Sequence, residues 1–163
     1  MKALVIYDSF FGNTEQIAQA IGAALGPKEG VETLRVGDVT PEHLTGLSLL
    51  VVGSPTRQFN ASPAIMNWLK SIPKNSLQGV RVAAFDTRFP QSEIEKTPIL
   101  VFFVRLWGRA AWAANHISDG LKNKGGELAA PSEGFFVEGT EGPLAEGELE
   151  RAADWAKRIA AAP

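Results

Sequence analysis

The chain contains no cysteine and only two histidines, His43 and His116, which stand far apart in the sequence. Disulfides, thiolate nucleophiles and thiolate metal sites are therefore excluded, and a zinc site has too few ligands to draw on. Charge of one sign is scarce as well: 16 basic side chains against 18 acidic ones give a formal net charge of -2, without a run of lysine or arginine. That balance argues against nucleic acid as a partner. Long apolar runs are missing too. The longest, within PILVFFVRLWG at 98–108, is cut by Arg105 and falls short of a membrane span. The opening MKALVIYDSF has too short an apolar region for a secretory signal, so a cytoplasmic protein with no membrane span is expected.

What is present points to a folded α/β domain. Hydrophobic residues make up 45% and charged residues 21% of 163 positions, which suits a soluble core and leaves no support for disorder. A single domain over 1–163 is expected, since no linker or shift in composition divides the chain. KALVIYD (2–8), LSLLVVGSP (47–55) and VRVAAFDT (80–87) are near-continuous apolar runs closed by turn residues, the pattern of strands buried on both faces. VETLRV (31–36) alternates apolar and polar residues and suits a strand nearer an edge, while EGFFVEG (133–139) is a fifth candidate.

Helical patterns fill the intervals. Ile17, Ala18, Ile21 and Leu25 recur at helical spacing after Asn13 or Thr14 as N-cap, with Gly26-Pro27 as the stop. Ser62 and Pro63 begin a helix over 62–72, and further helices are predicted over 108–125 and 142–162. Strands alternating with helices imply right-handed crossovers and a three-layer, doubly wound, five-stranded parallel sheet. Ligands in such sheets bind outside the carboxyl ends of the strands, which directs attention to the loops after residues 7, 53 and 87.

The first loop, Ser9 to Thr14, leads from a buried strand into a helix N-terminus, where free amides and the helix dipole favour an anion. Gly12 permits close approach, and Ser9, Asn13 and Thr14 add short donors. No basic side chain lies between residues 3 and 27, so a phosphate here would rest on backbone amides. The same residues also suit a plain capped turn, and the loop alone does not separate the two. Its spacing lacks the lysine of a nucleoside triphosphate loop and the three glycines of a dinucleotide fingerprint. A phospho-acceptor receiver would need an aspartate where Gly53-Ser54-Pro55 stands, and a small cysteine phosphatase would need a cysteine. The loops 53–63 and 86–90 each offer one phenylalanine, Phe59 and Phe89, among hydrogen-bonding groups, an arrangement able to sandwich a flat ring.

These three loops, their order, and the ending EGFFVEGTEGPLAEGELERAADWAKRI resemble the flavodoxin-like family, over nearly the whole chain; YDSFFGNTEQIAQAI is the most specific piece. The resemblance implies strand order 2-1-3-4-5 and FMN as cofactor. It also implies that Ser9, Phe11, Gly12, Asn13 and Thr14 wrap the flavin phosphate. Ser54, Pro55, Thr56, Arg57, Gln58 and Phe59 would line one side of the flavin ring, and Asp86, Thr87, Arg88 and Phe89 the other. Phe11 stands where electron carriers of the family have a hydroxyl residue, and aromatic-glycine loops resemble the quinone-reductase branch. Phe10 is expected beneath the loop or shielding its outer side, the alternative being both rings as local core plugs.

The function so implied is electron transfer to or from oxidoreductase partners, with no side chain acting as acid, base or nucleophile. The alternatives are an NAD(P)H-dependent quinone reductase acting on a small quinone-like substrate, or a flavin-free interaction module. Carriers of the family turn over a peptide of the second loop on reduction, which glycine makes inexpensive. No glycine lies between Ser54 and Pro63, and Asn60 is the residue there that best tolerates unusual backbone angles, so weak stabilisation of the half-reduced ring is expected. Arg57 and Arg88 would bring positive charge to the ring, or stand as solvated loop arginines. The stretch 92–108 reads as an extra core segment, the alternative being an exposed patch that docks a partner or pairs subunits as a homodimer through 98–107.

Overall fold

Apolar side chains fill both faces of three adjacent strands, and that requirement sets the architecture. In the computed structural model, which describes residues 1–90 and 94–163, β1 (Ala3–Tyr7), β3 (Leu49–Pro55) and β4 (Arg81–Arg88) lie side by side and parallel. Successive residues point to opposite faces, so each strand feeds two cores. Leu4, Ile6, Leu50, Val52, Val82 and Ala84 pack on one side with Ile65 and Leu69 of α2 (Pro63–Ser71) and Ile117 and Leu121 of a later helix. Val5, Tyr7, Val51, Ala83 and Phe85 pack on the other with Ile17 and Ile21 of α1 (Asn13–Leu25) and with Trp155 near the C-terminus.

The sheet order is β2-β1-β3-β4-β5, with β2 at Val31–Arg35, as expected for the doubly wound fold. β2 is the edge strand its alternation suggested: Val31 is buried while Glu32 and Arg35 are exposed. The fifth position differs from expectation. It holds two short pieces, β5 (Glu127–Leu128) and β6 (Glu133–Phe136), both parallel to β4. Between them Ala129-Ala130-Pro131-Ser132 leaves the ladder, and Pro131 has no N–H to give it.

Helix boundaries follow local chemistry. Ser62 caps α2 by accepting from the Ile65 amide, at 3.3 Å, with Pro63 in the first turn. The N-cap of α1 is Gly12 in a left-handed conformation, not Asn13 or Thr14; those two are buried in the first turn. The expected helix over 108–125 divides into a 3-10 turn at Gly108–Ala111 and, past extended Trp112, a helix at Ala113–Asn123. The helix expected over 142–162 begins only at Glu148, because left-handed Gly142 and Gly147 with Pro143 hold the preceding segment in a loop.

Among the described residues of the stretch 92–108, only Ile94 is buried as a core residue would be, so the segment is not the expected extra core. Its first two residues lie outside the described residues; the rest contains α3 (Pro98–Trp107), in which no residue is buried. Further along the chain come the α-helices α4 (Ala113–Asn123) and α5 (Glu148–Ala161).

Phe85 lies across Gly53 of β3, where a Cβ would collide with its ring. Gly53→Ala is therefore expected to cost about 1–3 kcal/mol through overpacking, lowering the melting temperature by some ~2–4 °C per kcal/mol. Adding Phe85→Leu should recover part of the loss in the same thermal melt.

Candidate functional site

The carboxyl ends of β1, β3 and β4 deliver three loops to one edge of the sheet, and an open cleft of about 260 Å³ lies between them. Ser9, Phe11, Asn13, Thr14, Pro55, Thr56, Arg57, Gln58, Thr87, Arg88 and Phe89, all singled out from sequence, line it. An adjoining, more apolar cleft of about 170 Å³ shares Thr56, Gln58 and Phe89 and is closed by Phe59, Ile94, Leu100, Val104 and Trp112.

Three of the expected residues shape the site from outside the cleft lining. Gly12 caps α1. Ser54 is fully buried, where its hydroxyl accepts from the Ser62 amide (2.8 Å) and donates to the Pro55 carbonyl (2.9 Å). Asp86 is also fully buried and accepts two bonds from Arg88, at 2.6 and 2.9 Å.

The first loop presents donors. Ser9 accepts from the Gly12 amide at 3.0 Å and bends the chain, which frees the amides of Phe10, Phe11, Asn13 and Thr14 from any partner among the described residues. With the N-terminal dipole of α1 behind them, these amides favour an anion, an effect of about 0.3–1 kcal/mol and more where partly buried. The side chains tie the loop to its neighbours. Thr14 and Thr87 share a hydroxyl hydrogen bond of 2.8 Å, and Asn13 donates to the Glu141 carbonyl at 3.1 Å.

Two carboxylates next to this anion-favouring loop would weaken it, and a residue not foreseen from sequence offsets them. Arg35 bonds Asp8 (3.2 Å) and the Ser9 carbonyl (2.9 Å), approaches Glu15 (3.7 Å) and lies over the Tyr7 ring. Burial, then the adjacent Glu15, raises the Tyr7 hydroxyl above its ordinary pKa, so it stays protonated and donates to Glu15 at 3.0 Å. Arg35 was legible in principle: parallel pairing sets it beside Tyr7, at the mouth of the loop.

The two loop arginines do different work. Arg57 is exposed and stacks over Phe10 and Phe11, 5.0 and 5.9 Å from the ring centres, so neither phenylalanine is a core plug; both are exposed and border the cleft. Arg88 is neither solvated nor a free cation. It is paired with Asp86 and stacked 4.3 Å over Trp112. Burial raises the Asp86 carboxyl above its ordinary range, against the opposing pull of Arg88, the Ala114 amide and Thr56. The Ala114 amide donates to Asp86 at 2.9 Å and the Ala113 amide to Thr56 at 3.0 Å, so the site loops cap α4.

The second loop closes in a two-residue turn, with Arg57 and Asn60 exchanging backbone bonds of 2.9 and 3.0 Å. Gln58 and Phe59 both have positive φ, 48° and 63°, where this kind of turn favours Asn-Gly. The unusual backbone therefore falls on Gln58 and Phe59 and not on Asn60, which instead accepts from the Ala61 amide. Phe59 gains partners in exchange, Trp107 at 4.9 Å and Phe103 at 5.8 Å. Phe10, with Val137 and Thr140 from the loop after β6, completes the first cleft; none of the three was singled out from sequence as a site residue.

With three carboxyl-edge loops around an anion-favouring helix start and an adjoining apolar slot, the molecule has the architecture of a doubly wound mononucleotide-binding protein. A flavodoxin family model matches residues 5–155, and the chain belongs to the flavodoxin family. It is 30% identical over 95 residues to the flavodoxin-like domain-containing protein BilS of Clostridium symbiosum (strain WAL-14163), an alignment covering 53% of this chain and 50% of that protein. The match thus spans about half the length of that curated relative. A flavodoxin from the domain Archaea superposes with TM-score 0.72 at 22% identity, covering 98% of this chain and 96% of its own. Rubredoxin oxygen:oxidoreductase from Desulfovibrio gigas superposes with TM-score 0.70 at 18% identity, covering 98% of this chain but 35% of the larger one. These two likenesses show the fold.

Asp86→Asn leaves the largely enclosed Arg88 without its counter-charge and is expected to cost about 3 kcal/mol in urea unfolding, whereas Asp86→Leu with Arg88→Met should cost much less. Gln58→Asn places a residue tolerant of positive φ in the turn and should raise stability by about 0.5–1 kcal/mol in the same assay.

Proposed function

We propose that the protein binds FMN at this edge and carries electrons between oxidoreductase partners as a single, cytoplasmic flavodoxin-like unit. The observation that carries the reading is the row of amides at the start of α1 that have no partner among the described residues, on a loop that borders the cleft. The donor set fits a phosphate monoester: the amides of Phe10, Phe11, Asn13 and Thr14, with the hydroxyls of Ser9 and Thr14 and the Asn13 amide at the rim.

FMN, when bound, supplies one- and two-electron exchange. The protein's part is to hold and tune it. Pro55, Thr56, Arg57, Gln58 and Phe59 would line one side of the ring and Thr87, Arg88 and Phe89 the other, while buried Ser54 and Asp86 keep the two loops in place. Gln58 and Phe59, held by the 57–60 turn, offer backbone groups at fixed positions. Arg88, neutralised by Asp86, contributes orientation more than charge, which leaves exposed Arg57 as the cation nearest the cleft mouth. The apolar slot between Phe59 and Phe89 excludes water from one side of whatever ring enters it. No acid, base or nucleophile is required of any side chain.

FMN titrated into the flavin-stripped protein should lose its fluorescence and raise the melting temperature. Gly12→Val, which forces a β-branched residue into left-handed backbone, should weaken binding at least ~10-fold, about 1.4 kcal/mol. Absence of both fluorescence change and thermal shift at saturating FMN refutes the proposal. Steady turnover of a quinone with NAD(P)H and no protein partner would replace the carrier role with that of a quinone reductase.

A further inference from the structure

Helix α3 is at odds with its surroundings. Ile99, Phe102 and Leu106 are 63%, 60% and 63% exposed, and they align at i, i+3 and i+7 along one outer face. Singly exposed apolar residues need no explanation, but three on one short helix, continued by exposed Trp107, form a patch. Its opposite side closes the apolar cleft through Leu100 and Val104, and Phe103 joins Phe59 and Trp107 in a packed aromatic cluster. The helix is therefore held in place from within, so its outer stripe has a fixed direction.

Charge distinguishes the occupant. From Thr97 to Ser118 there is no acidic residue, in a chain with 18 acids. Arg105 projects beside the apolar stripe with no partner among the described residues, while Arg109 is held by Asp119 at 3.0 Å; ahead of the helix Glu95 and Lys96 are of opposite sign. Exposed Phe10 and Phe11, stacked under Arg57, add aromatic groups with a cation at the same edge of the sheet. Apolar tips that project from a convex helix, flanked by arginine and tryptophan and free of acids, suit the boundary between anionic headgroups and acyl chains.

We propose that the outer face of α3, with Arg105, seats the protein on an anionic lipid surface. The stripe from Ile99 to Leu106 is about 10 Å long, enough for one helix lying in the plane of the interface. The docking itself does not depend on FMN being bound.

Flotation of the full-length protein with vesicles tests this. The protein should rise with equimolar phosphatidylglycerol and phosphatidylcholine, stay behind with phosphatidylcholine alone, and be released by high salt. Phe102→Glu with Leu106→Glu should lower the partition coefficient at least ~10-fold. Arg105→Glu, a purely surface change, should lower it as well with an unaltered thermal melt, which keeps the test decisive if the double variant unfolds. Failure to float with the anionic vesicles overturns the proposal, as does flotation that neither variant affects. So does a dimer in sedimentation equilibrium that both variants dissociate, since a second copy would then be what covers this face.

Discussion

Burying β1, β3 and β4 on both faces leaves this chain only one kind of place for polar chemistry. Along the middle of these strands the backbone pairs in the parallel ladder, and the apolar side chains are enclosed by one of the two cores. Free amides, left-handed residues and titratable groups are consequently pushed to the strand ends. The carboxyl edge gathers nearly all that could touch a ligand, and it does so because the parallel crossovers deliver three loops there together.

The edge is not a loose set of loops. Asp86 ties Arg88 to the start of α4, Thr56 supplies the next cap, Thr14 reaches Thr87, and Asn13 reaches the loop before α5. Apart from the Asp86–Arg88 pair within β4, each of these bonds joins segments remote in sequence. Groups that look like ligand donors in isolation are thus divided between two tasks. Asp86 and Ser54 hold the walls, while the amides around Gly12 and the hydroxyls of Thr14 and Thr87 face the space between them.

Much of this was legible from sequence. The buried strands announce themselves by unbroken apolar runs, and the three loops follow from where those runs end. What the pattern hid has physical causes. The helix starts at 113 and 148 are set by left-handed glycines and by caps from distant loops, which no local window contains. Asn60 looked the best residue for strained backbone, yet the strain sits on Gln58 and Phe59, where packing against Phe103 and Trp107 outweighs local preference. Apolar content alone made 92–108 resemble an extra core segment. Position decides otherwise, because the sheet's two faces are already covered by α1 with α5 and by α2 with α4.

The break at 129–132 bears on how molecules meet in a crowded solution. An uninterrupted final strand would expose a straight row of unsatisfied peptide groups, a template on which another chain can extend the sheet. Here that border is chopped into pieces of two and four residues with a proline between them, and the opposite border, β2, presents Glu32 and Arg35 to water. Neither rim offers a docking rail for a neighbouring strand, so the fold can carry an unusually greasy helix on its surface without inviting fibril-like stacking of its sheets.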